Sequence, residues 1–205
     1  MVPESSYENE SEIEELYLGD YASIGSIVRE ALPFELVATV GGVFAGLIFS
    51  GMTNELQMIP GLIVIAPAVL GMRGNISSTL GSRLGSAIHM GLITEVDMNN
   101  PELTNNIIGS LLLSFMLSIF LGIMGHFMTL AIGLESAGPF VLIAIAVIAG
   151  VSSGLILSVV AVLFALGMFR FGFDPDNVVT PAIATIGDIV SMIMLFIAAK
   201  VVILL

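Results

Sequence analysis

Apolar residues in this chain come in long unbroken runs, unlike the alternation of a half-buried strand or the narrow stripe of a soluble helix. The runs cover about 33–52, 59–93, 104–132, 139–169 and 178–204. Each is close to or longer than the roughly 20 residues that cross a bilayer core, so the pattern predicts an all-α membrane protein with five transmembrane helices. Ahead of them, Ala22, Ile24, Ile27, Val28 and Leu32 alternate with polar neighbours. That spacing predicts a short N-terminal interfacial helix, with Pro33 marking entry to the first span. As a single helix the second run would measure about 52 Å, so it must tilt, overshoot or break. Pro67 and the cluster Gly71, Met72, Arg73, Gly74, Asn75 place the expected interruption in its middle. Polar stretches at 94–103, 133–139 and 171–177 separate the remaining runs, and no internal duplication is visible among the five.

Composition agrees with the pattern. Hydrophobic residues make up 57% of the 205 positions and charged ones 11%, against roughly 25% charged in soluble domains, which argues against a soluble catalytic domain. The net charge of -12 is unevenly placed. Seven of the 17 acidic residues (Glu4, Glu8, Glu10, Glu12, Glu14, Glu15, Asp20) fall in the first 20 positions, and no Lys or Arg precedes Arg29. Residues 1–21 are therefore expected to be a solvated, disordered tail, and 22–205 the five-helix transmembrane domain. No basic stretch exists for nucleic acid, and without cysteine there are no thiolate sites. The N-terminus lacks the pattern of a cleaved signal, so the mature chain is expected to begin near Met1. Basic residues favour the cytoplasmic side. Arg29, Arg83 and Arg170 all fall there if the N-terminus is cytoplasmic and the C-terminus external, which is the expected topology in a cell membrane; only Lys200 leans outward.

A charge at mid-bilayer costs on the order of 2.5–3.5 kcal/mol on insertion scales and usually faces a bundle interior or a water path. The clear cases are Arg73 and Asp188. Asp188 lies well inside the fifth run, after Pro181, which can free carbonyl oxygens. Oxygen ligands of this kind suit hard cations such as Mg²⁺, often bound through one or two carboxylates while still partly hydrated. One carboxylate cannot neutralise a doubly charged ion, whereas a symmetric dimer brings two Asp188 side chains to one axis. The competing reading is a buried Asp188–Arg73 bridge. Glu35 reads as interfacial, His89 and His126 as packing or interfacial residues, the twelve methionines as core filling, and Gly41, Gly42 and Gly46 as sites of close helix approach.

Two segments carry a resemblance. Pro67–Gly91, PAVLGMRGNISSTLGSRLGSAIHMG, closely resembles the second-helix motif of the MgtE superfamily, and its GN followed by TL and SRL looks most like the solute carrier family 41 branch. Asp174–Asp188, DPDNVVTPAIATIGD, resembles the matching fifth-helix motif. The resemblance spans roughly residues 30–205 and implies a Mg²⁺ channel or transporter whose second and fifth helices line a central pore between two five-helix units. It implies that Asp188 holds the ion, that Asn75 lies near the path, and that Asp174, Asp176, Asn177 and Pro181 belong to the segment leading into helix five. Oxygens around Thr180, Pro181 and Thr185 complete the expected ligand set. Bacterial members carry a large cytoplasmic domain and paired CBS domains, for which the residues before 22 have no room, so their gating is not carried over. Solute carrier 41 proteins hold two five-helix repeats; this chain has one, and a homodimer is the natural equivalent.

The leading expectation is a homodimer in membrane lipid that moves partly hydrated Mg²⁺ as its transported ion. A Na⁺-coupled exchanger is the nearest alternative, and a structural membrane subunit a further one. Thr185–Asp188 is also similar to the GxGD pattern of intramembrane aspartyl proteases, but that chemistry needs a second carboxylate and the first Gly is replaced by Thr185. No enzyme activity is expected.

Overall fold

A computed structural model describes residues 24–170 and 175–205, with the side chains of 175–181 and of several positions between 26 and 34 outside the description. The expectation for the 1–21 tail therefore lies outside the described residues. Six helices and no strands are found among the described residues: α1 Ile24–Ser50, α2 Thr53–Met58, α3 Leu62–His89, α4 Pro101–Ala131, α5 Pro139–Arg170 and α6 Pro175–Leu204. The chain divides into two units, Met1–Val37 and Ala38–Leu205. Of the first, the described part is the opening of α1, exposed at Val28, Leu32 and Leu36. The second unit holds the helical bundle.

Among the described residues, four helical segments are long and apolar enough to cross a bilayer: Leu62–His89, Pro101–Ala131, Pro139–Arg170 and Ala182–Leu204. The expected first span corresponds to the end of α1, where the apolar stretch Glu35–Ser50 is shorter. Two details of the sequence reading are corrected. Pro33 lies inside α1 and does not separate an interfacial helix from a span. The 59–93 run is also unbroken: α3 passes through Pro67 and Gly71–Asn75 as 28 continuous residues, about 42 Å. Trimming at both ends shortens the run. Pro67 stands at the sixth helical position, so it removes one bond, to the carbonyl of Ile63, without ending the helix.

Helix starts follow local chemistry. Asn100 caps α4 by accepting from the backbone N–H groups of Glu102 (2.9 Å) and Leu103 (3.3 Å), with Pro101 at the first helical position. Gly61 and Gly138, at φ 97° and 98°, turn the chain into α3 and α5. The two turns meet where the Ala137 N–H donates to the Pro60 carbonyl at 2.8 Å.

Helix α3 packs against α4, α5 and α6. Two apolar clusters form the core. One gathers Met52, Leu62, Ile65, Val69, Leu142, Ile145 and Leu195; the other gathers Leu80, Leu84, Ile88, Leu103, Ala161 and Ile183. Between them lies a buried polar belt of Arg73, Ser77, Ser110, Ser114, Ser153 and Ser158. Four of its serines spend their hydroxyl protons on their own helices: Ser110 donates to the Ile107 carbonyl at 2.8 Å, Ser114 to Ser110 at 2.7 Å, Ser153 to Ala149 at 2.6 Å and Ser158 to Gly154 at 2.8 Å. That satisfies each group locally, as a dry interior requires. At Gly122 an added Cβ would lie 2.5 Å from the Ile143 Cα, so α4 and α5 approach there backbone to backbone.

Candidate functional site

Asp188 lies on α6 one turn beyond Thr185. It lines a cavity of about 240 Å³ together with Met192 of α6, Ala66, Pro67 and Leu70 of α3, and Gly42, Ala45, Gly46 and Phe49 of α1. The rest of the lining is apolar or glycine. Asp188 is half-buried, and among the described residues no hydrogen bond or ion pair to it is found. On the other side of this wall, Pro67 leaves the Ile63 carbonyl without its helical donor. The cavity thus combines one carboxylate with locally loosened helix backbone.

The alternative partner for this carboxylate is engaged elsewhere. Arg73, only 2% exposed, donates from Nη1 to Ser114 Oγ at 2.5 Å and from Nη2 to Ser77 Oγ at 3.0 Å, while its Nε is buried without a partner. A Cβ on Gly154 would come within 3.2 Å of Nη1. The guanidinium is therefore wedged between α3, α4 and α5, and the Asp188–Arg73 bridge does not form.

Asn75 lines a different cavity, of about 390 Å³, between α3 and α4, with Thr79 and Arg83 on one side and Asn106, Ser110, Leu113 and Met116 on the other. Asn75 lies eight residues after Pro67, about 12 Å along the axis and about 80° around it. The two motif residues thus occupy neighbouring faces of α3 in separate cavities. The Asn75 carbonyl accepts from Thr79 Oγ1 at 2.8 Å.

Thr185 packs on α1: its Cγ2 occupies the space where a Cβ on Gly41 would sit. The reading of Asp174 lies outside the described residues, as do the side chains of Asp176, Asn177, Thr180 and Pro181. Among the described residues no three His, Cys, Asp or Glu side chains gather as a metal site. Both histidines sit in packing contacts. His89 meets Phe169 edge-on at 5.6 Å, and His126 Nδ1 shares a 2.8 Å hydrogen bond with Ser136 Oγ.

Sequence reasoning missed the α1 wall. The signal was present as Gly42 and Gly46, four residues apart, but it was read as close packing alone.

Long apolar helices, an inward-facing serine belt and a lone carboxylate in a cleft define a multi-pass helical membrane protein, and its relatives define it further. The MgtE family, described as a divalent cation transporter, matches residues 66–198. The chain belongs to the MgtE family. It is 30% identical over 187 residues to Solute carrier family 41 member 2 of Xenopus laevis, covering 85% of this chain and 32% of that protein. To the Homo sapiens member 2 it is 30% identical over 177 residues, 80% of this chain and 29% of the relative. Against Solute carrier family 41 member 3 of Mus musculus the figure is 26% over 172 residues, 80% and 34%. The chain thus spans about a third of the length of the curated relatives it matches. The family is one of transporters, not of enzymes.

Proposed function

We propose that this chain moves divalent cations, Mg²⁺ foremost, across a membrane as a homodimer, with Asp188 of each copy facing a shared path along α3 and α6. The observation that carries this reading is Asp188 itself, a carboxylate inside an apolar span, lining a cavity and paired with no cation among the described residues. A carboxylate held there without compensation is costly, and a passing cation supplies the missing charge. Two copies supply two negative charges, which balance one divalent ion. Keeping part of the hydration shell avoids most of the dehydration cost of Mg²⁺.

The exposed face of α3 supports the same reading. Gly71, Asn75, Thr79, Ser82, Arg83 and Ser86 are all exposed there, and such a face is unsuited to acyl chains but suited to water. Helix α1 completes a five-span unit with the N-terminus cytoplasmic and the C-terminus external. Lys200, the basic residue at the outer end, lies 4.0 Å from Glu55 and 4.5 Å from the Phe196 ring centre. Local pairing of this kind weakens its pull toward the cytoplasm. Asp174, Asp176, Asn177, Thr180, Pro181 and Thr185 are proposed as the approach to Asp188, and Asn75 as a lining residue further along α3.

The test is Mg²⁺ uptake into proteoliposomes, with and without a Na⁺ gradient. Asp188→Ala is expected to abolish uptake while the dimer stays folded. Unchanged flux in that variant rejects the assignment, and dependence on the Na⁺ gradient converts the channel reading into the exchanger.

A further inference from the structure

The cavity at Asp188 has a wall that belongs to neither sequence motif. Gly42, Ala45, Gly46 and Phe49 of α1 face it, at positions i, i+3, i+4 and i+7 of one helical face. Three glycines lie on this stretch of α1, and they do different things. Gly41 is a packing residue, because a Cβ there would collide with Thr185. A Cβ on Gly42 or on Gly46 would meet nothing within 4 Å beyond its chain neighbours and its own helix backbone, among the described residues. Glycine is less favourable than alanine in a helix interior, and packing against the described residues gives no reason for either one. Their effect is to leave the volume beside Asp188 empty.

That volume matches a cargo. Mg²⁺ holds its waters tightly and prefers six ligands; even a full shell of six waters at about 30 Å³ each needs roughly 180 Å³, so a cavity of about 240 Å³ has room for the ion with all or part of its shell. A longer side chain at position 42 or 46 would project into the space the outer waters need. The spacing Gly-x-x-x-Gly also suits close contact with another helix. A helix seated on this pair, however, would cover Asp188 and Pro67, sealing a carboxylate away from water with no donor, which is costly. The cavity therefore favours a hydrated ion over a helix as occupant.

We propose that Gly42 and Gly46 set the clearance of the Asp188 site, holding the α1 wall back so that a divalent cation enters with its water shell. This rests on the reading of Asp188 as the cation site. The experiment uses the full chain in proteoliposomes, as Gly42→Ala, Gly46→Ala and Gly46→Leu beside Asp188→Ala. Thermal unfolding, oligomer mass and Mg²⁺ flux are measured, together with inhibition by hexaamminecobalt(III), whose six ligands do not exchange and which imitates a hydrated divalent ion in size. The alanine variants are expected to unfold no earlier than the parent. Gly46→Leu is expected to keep the parent's oligomer mass, lose at least tenfold in Mg²⁺ flux, and lose at least tenfold in sensitivity to hexaamminecobalt(III). Full Mg²⁺ flux in Gly46→Leu while Asp188→Ala is silent overturns the clearance role and leaves the cation site standing. Loss of flux together with loss of the dimer also overturns it, since the glycine pair would then be a helix contact. Normal flux in Asp188→Ala removes both readings.

Discussion

Helices α3 and α4 run side by side, both long enough to cross a bilayer, yet they sort their residues in opposite ways. Helix α4 buries Asn106, Ser110, Ser114, Ser118, Gly122, Gly125 and Thr129 and exposes Leu112, Leu113, Phe115, Met116, Phe120 and Phe127. Helix α3 buries Leu62, Ile65, Val69, Ile76, Leu80 and Leu84 around the polar pair Arg73 and Ser77, and beyond Ile63 near its start it exposes Gly71, Asn75, Thr79, Ser82, Arg83 and Ser86. The first is the arrangement lipid selects, because acyl chains are as apolar as leucine and only polar or small groups gain by facing another helix. The second is the arrangement water selects. Two neighbouring helices of one bundle therefore present outer faces of different chemistry, and both line the 390 Å³ cavity.

Charge placement should break this contrast most sharply. Phe115→Lys, at the middle of α4, is expected to cost about 2.5–3.5 kcal/mol of insertion, whereas Thr79→Lys on α3 should cost clearly less despite the like charge of Arg83 one turn on, since its exposed neighbours include the polar Asn75 and Ser82. Glycosylation-mapped insertion of both variants checks the pair, and equal penalties would mean that the α3 face lies in lipid. Glycine substitutions give a smaller effect. Gly122→Ala forces a methyl into the Ile143 backbone and should destabilise by about 1–3 kcal/mol, while Gly71→Ala, which meets nothing within 4 Å, should be neutral or gain up to about 1 kcal/mol. Unfolding in detergent reads both. Smallest of all is Arg73→Met. Replacing a buried, uncompensated guanidinium by an apolar chain of similar length should change stability by less than about 1 kcal/mol or raise it, because Ser114 already donates to its own helix. A loss above about 3 kcal/mol would mean that the guanidinium holds a counter-charge.

Much of the fold was legible from patterning. The runs that became α3, α4, α5 and α6 were visible because a span must be continuously apolar, and the polar loop ending at Asn100 and Pro101 announced the start of α4 through its cap. The breaks expected at Pro33 and at Pro67 did not materialise as helix ends. Pro67 stands at the sixth position of α3 and Pro33 at the tenth of α1; each removes one helical hydrogen bond and crowds the preceding turn, and the sequence carries no measure of whether neighbours tolerate that loss. Asp188 and Arg73 were both recognisable as costly, and their possible mutual pairing was the natural alternative. The choice lay in helix rotation, which turns Arg73 toward Ser114 and Gly154 and leaves Asp188 in a cleft beside α1.

What the chain alone determined is the class of molecule: four or more apolar spans, few charges, one carboxylate deep among aliphatics, and two motifs that mark its family. Those properties depend on composition and spacing along one dimension, where the bilayer acts as a uniform solvent for each segment. Which face of each helix meets lipid, which meets a neighbour and which encloses a cavity was decided only by packing. Rotation about a helix axis changes every such contact while leaving hydropathy untouched. The role of Gly42 and Gly46 as open wall rather than contact surface belongs to that second kind of information.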